Sequence, residues 1–418
     1  MLKKSFAVVL IQAAGMIVSL LSVYFVAGDM GPVIYSLIGI RQVILGIVNT
    51  FSHLGVETVM GREALYWMQN GQDEKVQEYA TQSILSRIVG FVLLFPLLFG
   101  YLAFINYTKY DGQYLLLFFL FYVGACVGAL NQSMSLIIRS RGGYVFSQIV
   151  NTLNGDIMGV AAILIYQFIG LKVYLLFIAL GTIPVMFVYA SYIKTLFKKH
   201  FWDLKPTLSK IKESRYLWVK SWLDYFRVEA DVFLVSLLFP PVILGNYSIY
   251  KKFEGILKGF IEGFFDVLCQ RQVQFKGNVS ALKKQESKIN RVRWMAIVFV
   301  IICGFVFYIN PDFFIKMINL QKYDGMHTII YVVLLTGILY LWGKYEINAV
   351  SFFAPTKTVF KLGVVTLIIT ILSYSSLIIL PSLNGALVQR IIVWGATSLV
   401  TVVLFRRSRD MYYSHIYK

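Results

Sequence analysis

Apolar residues in this chain come in long unbroken runs rather than in the stripes of a soluble amphipathic helix. The runs lie at about 5–27, 33–60, 81–105, 114–138, 146–168, 173–196, 217–239, 242–268, 293–310, 327–350, 358–380 and 385–405. A helix rises 1.5 Å per residue, so roughly 20 residues cross a hydrocarbon core of about 30 Å. The pattern therefore predicts an all-α integral membrane protein with about twelve transmembrane helices. The breaks between runs are of two kinds. Gly28–Pro32, Pro240-Pro241 and Pro381–Asn384 read as tight turns without a basic residue, whereas Arg139–Arg141, Lys194–Lys220, Arg271–Arg293 and Arg406–Lys418 are basic.

Composition agrees. Of the 418 residues, 58% are hydrophobic and only 14% charged, well below the ~25% of a soluble domain. A net charge of +18 could suggest nucleic acid, but the basic residues crowd between apolar runs, as orientation signals do. The termini and even-numbered loops, with their margins, hold 27 Lys and Arg; the odd-numbered loops hold four, Lys109, Lys172, Lys316 and Lys322. The positive-inside rule places both termini in the cytoplasm, which requires an even number of spans. Lys3-Lys4 and the following run read as a first span, since the run is too long for a signal-peptide core. Cys126, Cys269 and Cys303 lie far apart without metal-ligand spacing and read as small buried hydrophobes. The largest non-membrane piece, 197–216, is basic, and no external loop is long enough for a catalytic domain. The expectation is a non-enzyme with no cofactor and no metal site.

That central loop divides the chain into halves of nearly equal length, 1–206 and 207–418. Tyr35-Ser36-Leu37 and Ile44-Leu45 align with Tyr247-Ser248-Ile249 and Ile256-Leu257 at one constant offset, each early in the second span of its half. Six spans per half and this echo predict a transporter of two six-helix parallel repeats.

Charges inside the spans carry the chemistry, because each costs roughly 2.5–3.5 kcal/mol at the bilayer centre unless paired or wet. In span 7, Asp224, Arg227 and Asp231 are three and four apart, on one face; they read as a polar cavity wall with protonatable acids, or as an internal salt bridge. In span 8, Lys251, Glu254, Lys258 and Glu262 recur at helical spacing, with Lys252 and Asp266 near the same stripe. That stripe lines an aqueous cavity, or belongs to a cytoplasmic amphipathic helix. Span 2 holds Arg41, with Asn49 and Ser52 on nearly the same side of the wheel and His53 and Glu57 further on. Lys344, Glu346 and Asn348, Arg390, and Asn131, Asn151 and Asn154 are weaker candidates; Arg87 reads as snorkelling at the boundary. Arg41, Arg227, Lys251, Lys252, Lys258 and Arg390 together bias the cavity positions toward an anionic passenger, and ammonium and guanidinium groups bind phosphate well.

The opening LKKSFAVVLIQAAGMIVSLLSVYFVAGDMGPVIYSLIGIRQVILGIVNTFSHLG resembles the first two spans of polysaccharide (O-antigen, Wzx-type) flippases, and DYFRVEADVFLVSLLFPPVILGNYSIYKKFEGILKGF resembles the start of their second half. These belong to the multidrug/oligosaccharidyl-lipid/polysaccharide exporter superfamily. The resemblance implies a V-shaped pair of bundles that moves undecaprenyl-pyrophosphate-linked oligosaccharide across the bacterial inner (cytoplasmic) membrane by alternating access. Spans 1, 2, 7 and 8 would line the cavity, which places Arg41, Asp224, Arg227, Asp231, Lys251 and Lys252 where the family keeps its charges; the candidate substrate contacts are Arg41, Arg227, Lys251, Lys252, Lys258 and Arg390. Asp224, Asp231 and Glu254 would couple to H⁺ or Na⁺. It implies a monomer that works beside a polysaccharide polymerase and a chain-length regulator, without nucleic acid. The rival readings are a cation-coupled multidrug or small-molecule exporter of the same superfamily, a membrane O-antigen polymerase or lipid-linked glycosyltransferase, and a membrane scaffold.

Overall fold

The computed structural model describes residues 14–140, 144–194, 202–273, 278–354 and 356–414. Every regular element among them is helical, the state in which a span satisfies its own N–H and C=O groups where no water can. In chain order these are α1 (Ala14–Phe51), α2 (Val56–Gln69), α3 (Asp73–Lys109), α4 (Leu115–Ser140), α5 (Tyr144–Phe168), α6 (Leu171–Leu180), α7 (Ile183–Ile193) and α8 (Leu204–Val228). There follow α9 (Ala230–Leu238), α10 (Pro241–Val273), α11 (Val279–Ile309), α12 (Pro311–Met317), α13 (Met326–Phe353), α14 (Thr356–Ser373), α15 (Ser375–Ile379) and α16 (Leu383–Ser414). Among the described residues, eight stretches are long and apolar enough to cross a membrane: α1, α3, α4, Leu171–Ile193 through α6 and α7, α11, α13, Thr358–Ile379 through α14 and α15, and α16. The 33-residue α10 has the length but also the charged stripe.

The breaks have local causes. Gly31 sits at φ 74° and ψ 168°, open only to glycine, and Pro32 after it has no N–H to give. This corner makes α1 two legs, as the two runs around Gly28–Pro32 predict. The second leg stops at Phe51, short of the predicted residue 60, where Leu54 (φ 48°) and Gly55 (φ 84°) turn the chain into α2. The sixth run is split at Gly181-Thr182 ahead of Pro184. The seventh is split at Glu229, so the predicted common face of Asp224, Arg227 and Asp231 is not one continuous helix. Conversely, much of the described part of the basic segments read as loops is helical: α8 starts at Leu204, with Asp203 accepting from the Lys205 N–H at 3.1 Å, and α11 starts at Val279, with Asn278 accepting from the Ala281 N–H at 3.0 Å.

The chain groups into two compact units, Met1–Ser36 with Pro241–Lys418, and Leu37–Pro240. This grouping by contact cuts the chain elsewhere than at the sequence halves 1–206 and 207–418. In the Leu37–Pro240 unit, α2, α3, α4 and α7 bury Met60, Trp67, Ala80, Ile137 and Tyr189 together. In the other, α10, α11, α13 and α16 enclose Leu282, Tyr345, Trp394, Phe405 and Tyr412. There, Gly245 on α10 lies so close to the Pro32 carbonyl that a Cβ would collide with it; small residues permit such approach between helices in lipid. Cys303 is exposed on α11 and Cys126 half-buried, not buried as predicted.

Candidate functional site

Three helices of the unit containing α10–α16 each present a stripe at four-residue spacing: Tyr250, Glu254 and Lys258 on α10, Thr336, Tyr340 and Lys344 on α13, and Arg390 and Trp394 on α16. Residues four apart share a helical face. The helices pack so that the stripes meet at the Glu254 carboxylate. Arg390 Nη2 donates to both its oxygens, at 2.8 Å to Oε1 and 3.0 Å to Oε2. Trp394 Nε1 donates to Oε1 at 2.9 Å, and the Tyr250 hydroxyl donates to the same oxygen at 3.1 Å. Lys251 Nζ reaches Oε2 and Lys258 Nζ reaches Oε1, each at 3.1 Å.

Three cations thus share one carboxylate. Glu254 and Arg390 are buried, at 3% and 0% exposure, whereas the lysine side chains keep 13% and 16%. A charge this deep persists only when paired and fully hydrogen-bonded, and Glu254 meets that condition several times over. Aromatic rings wall the cluster: Lys258 Nζ stands 3.9 Å from the Trp394 ring centre, and Lys344 Nζ 5.4 Å from that of Tyr340. The structure therefore joins four of the predicted residues, Lys251, Glu254, Lys258 and Arg390. Lys252 is partly buried on α10 beside them in sequence. Sequence reasoning missed Trp394, Tyr250 and Tyr340, although each lies four residues from Arg390, Glu254 or Lys344.

Most of the remaining candidates lie in the other unit, whereas Lys344, Glu346 and Asn348 are in the same one. The Arg41 Nε donates to the Ile178 carbonyl at 3.1 Å. Asp231 is buried in the first turn of α9, accepting from the Val232 N–H at 2.9 Å. The side chains of Asp224, Arg227, Asn151 and Asn154 lie outside the described set. Asn131 bridges to the Thr182 carbonyl at 3.0 Å. Asn49 and Ser52, grouped with Arg41 on the wheel, are bound by Arg87 instead, at 2.7 Å to the Asn49 carbonyl and 2.8 Å to the Ser52 hydroxyl. Arg87 does not snorkel: it is 2% exposed and pairs with Glu57 at 2.6 Å. Glu346 is likewise held by Arg293, at 2.7 Å.

No protein-family model matches the sequence, and no curated protein matches it. Solved structures do. An inward-facing multidrug resistance MATE family transporter of the MOP superfamily matches over 97% of this chain and 98% of its own, with TM-score 0.64 at 13% identity. An outward-facing one matches over 99% and 97%, with TM-score 0.62 at 12% identity. A MOP superfamily transporter from Pyrococcus furiosus, described as having a binding pocket of reversed polarity that suggests a different function, matches over 98% and 96%, with TM-score 0.61 at 14% identity. The chain has the fold of the MATE transporters.

Proposed function

We propose that this chain is a flippase that moves an anionic lipid-linked oligosaccharide, carried on undecaprenyl pyrophosphate, across the bacterial cytoplasmic membrane by ion-coupled alternating access. One observation carries the reading: Lys251, Lys258 and Arg390 gather on a single carboxylate inside a membrane bundle. Ammonium and guanidinium donors suit phosphate oxygens and repel lipophilic cations. Arg41 adds a further cation in the other unit, and Asp224, Asp231 and Glu254 are the candidates for coupling to H⁺ or Na⁺. The rival reading as a drug exporter draws on the multidrug transporters that share the fold.

One assay separates the two. Purified protein in nanodiscs is titrated with the pyrophosphate-linked oligosaccharide, with its monophosphate analogue and with a lipophilic cation. The pyrophosphate compound binds most tightly, and Lys251→Gln or Lys258→Gln weakens it about tenfold or more, as loss of one charged hydrogen bond worth roughly 1.5–3 kcal/mol requires. Preference for the lipophilic cation would favour the exporter instead.

A further inference from the structure

We infer that Glu254 is a built-in surrogate for the passenger's anion, occupying Lys251 and Lys258 while the site is empty and yielding them when a phosphate group enters. The inference rests on the anion-binding reading above.

The contacts around the carboxylate fall into two sets. Arg390, Trp394 and Tyr250 are buried, and Arg390 bonds both oxygens. The Tyr250 hydroxyl also lies 3.4 Å from Thr336 Oγ1 on α13. These donors are fixed by packing. Lys251 and Lys258 each have a flexible four-carbon stem, more exposure and a contact to Glu254 at 3.1 Å. The first set alone keeps Glu254 paired with a guanidinium and hydrogen-bonded, so losing the lysines does not strand a buried charge.

An entering diphosphate offers oxygens of the same charge and acceptor type as Glu254, so it competes for the same ammonium groups. When it leaves, the lysines fall back onto Glu254 rather than standing in the site as bare charge. The competitor therefore keeps binding weak enough for release, which a carrier needs as much as capture. Lys258 would leave a trace of the exchange. Its ammonium lies 3.9 Å from the Trp394 ring centre, and an anion drawing it away alters the electrostatic field at that indole.

The test is binding of inorganic pyrophosphate to the full-length protein in nanodiscs, read by calorimetry and tryptophan emission. Wild-type protein binds, and the Lys251→Gln/Lys258→Gln variant loses about tenfold or more. Glu254→Gln, which removes the competing charge, binds about tenfold more tightly and exchanges bound pyrophosphate more slowly. Glu254→Asp, which keeps a charge for Arg390 but shortens its reach to the lysines, tightens binding by less and serves if the Gln variant does not fold. The emission change on binding disappears in Trp394→Phe. Equal or weaker binding by the folded Glu254 variants, with the lysine effect intact, overturns the surrogate role and leaves the anion site standing. Wild-type protein that binds no pyrophosphate, with lysine variants unchanged, overturns both.

Discussion

A charge in lipid has to be answered within the length of its own side chain, and Arg87 shows how completely. Its guanidinium serves the Glu57 carboxylate, the Asn49 carbonyl and the Ser52 and Ser133 hydroxyls, and the residue is 2% exposed. Arg293 and Glu346 form a second such pair in the other unit, both nearly fully buried, with the Arg293 Nε finding no hydrogen-bond partner. Removing one member of such a pair leaves the other as an uncompensated buried charge, which costs about 3–5 kcal/mol, whereas removing both costs far less. Arg87→Met or Glu57→Gln alone is therefore expected to lower the melting temperature of the purified protein sharply, and Arg87→Met with Glu57→Leu to recover most of it. Single variants that melt like wild type would reduce the pair to an incidental contact. The sequence disclosed the presence of these charges but not their pairings. Lys251, Glu254 and Lys258 were legible together because one helix spaces them; Arg390 was legible only as a lone intramembrane cation, since its partner lies on a helix distant in sequence. Arg87 was misread for the same reason, with Glu57 on α2 and Ser133 on α4. Trp394 and Tyr250 carry no charge and gave no signal of their own.

Element boundaries follow backbone chemistry that apolar run length does not report. Runs locate spans, but the corners depend on single residues: Gly31 with Pro32, Leu54 with Gly55, and the break at Glu229. Helix also continues past the apolar runs into basic segments, where Asp203 and Asn278 cap α8 and α11, so reading polarity as loop was the error there. Lys109, one of only four basic residues in the odd-numbered loops, has a purely local task. Its ammonium donates to the Leu237 and Phe239 carbonyls at 2.9 and 2.6 Å, and to that of Ser236, closing the C-terminus of α9. The repeat signal also has a structural counterpart. The offset that aligns Tyr35 with Tyr247 also aligns Ile178 with Arg390 and Gln42 with Glu254. In one unit Arg41 meets Ile178, and in the other Glu254 meets Arg390. Each unit thus has a second-span to sixth-span contact, one residue out of register on the second span, where Arg41 aligns with Phe253. The Gly31 corner gives a direct test. A Cβ at φ 74°, ψ 168° costs on the order of 1–3 kcal/mol, so Gly31→Ala should lower thermal stability measurably. Gly100, helical and with open space around it, is the control, and Gly100→Ala should not destabilise. Equal stability of both variants would show that the corner can shift onto ordinary dihedrals.

At the scale of the molecule, fold and function separate. A chain only 12–14% identical to the transporters it matches keeps their architecture over nearly its whole length. Helix length, apolarity and small-residue contacts suffice for a helical membrane fold, and many sequences supply them. In the proposed reading the passenger is selected instead by a few intramembrane charges, so the fold could be read from hydropathy and the chemistry only from Glu254 and its cations. Orientation in the membrane is the whole-molecule property that the charge distribution predicts most directly, from 27 basic residues on one side against four on the other. Single cysteines at Asp111, Asn310 and Asn384, all exposed between helices or at their ends, are expected to react with an impermeant thiol reagent added to intact cells lacking the native cysteines. Cysteines at Ser209 and Ser280, exposed near the starts of α8 and α11, are expected to react only after the membrane is opened. Asp111 lies two residues past Lys109, so its labelling also tests whether the Lys109 cap of α9 faces outward. Reaction at Ser209 in intact cells would reverse the orientation. The basic segment leading into α8 would then face outward, against the rule that placed it, and in the proposed flippase a passenger loaded from the cytoplasm would approach the Lys251–Glu254–Lys258 stripe from the opposite end of α10.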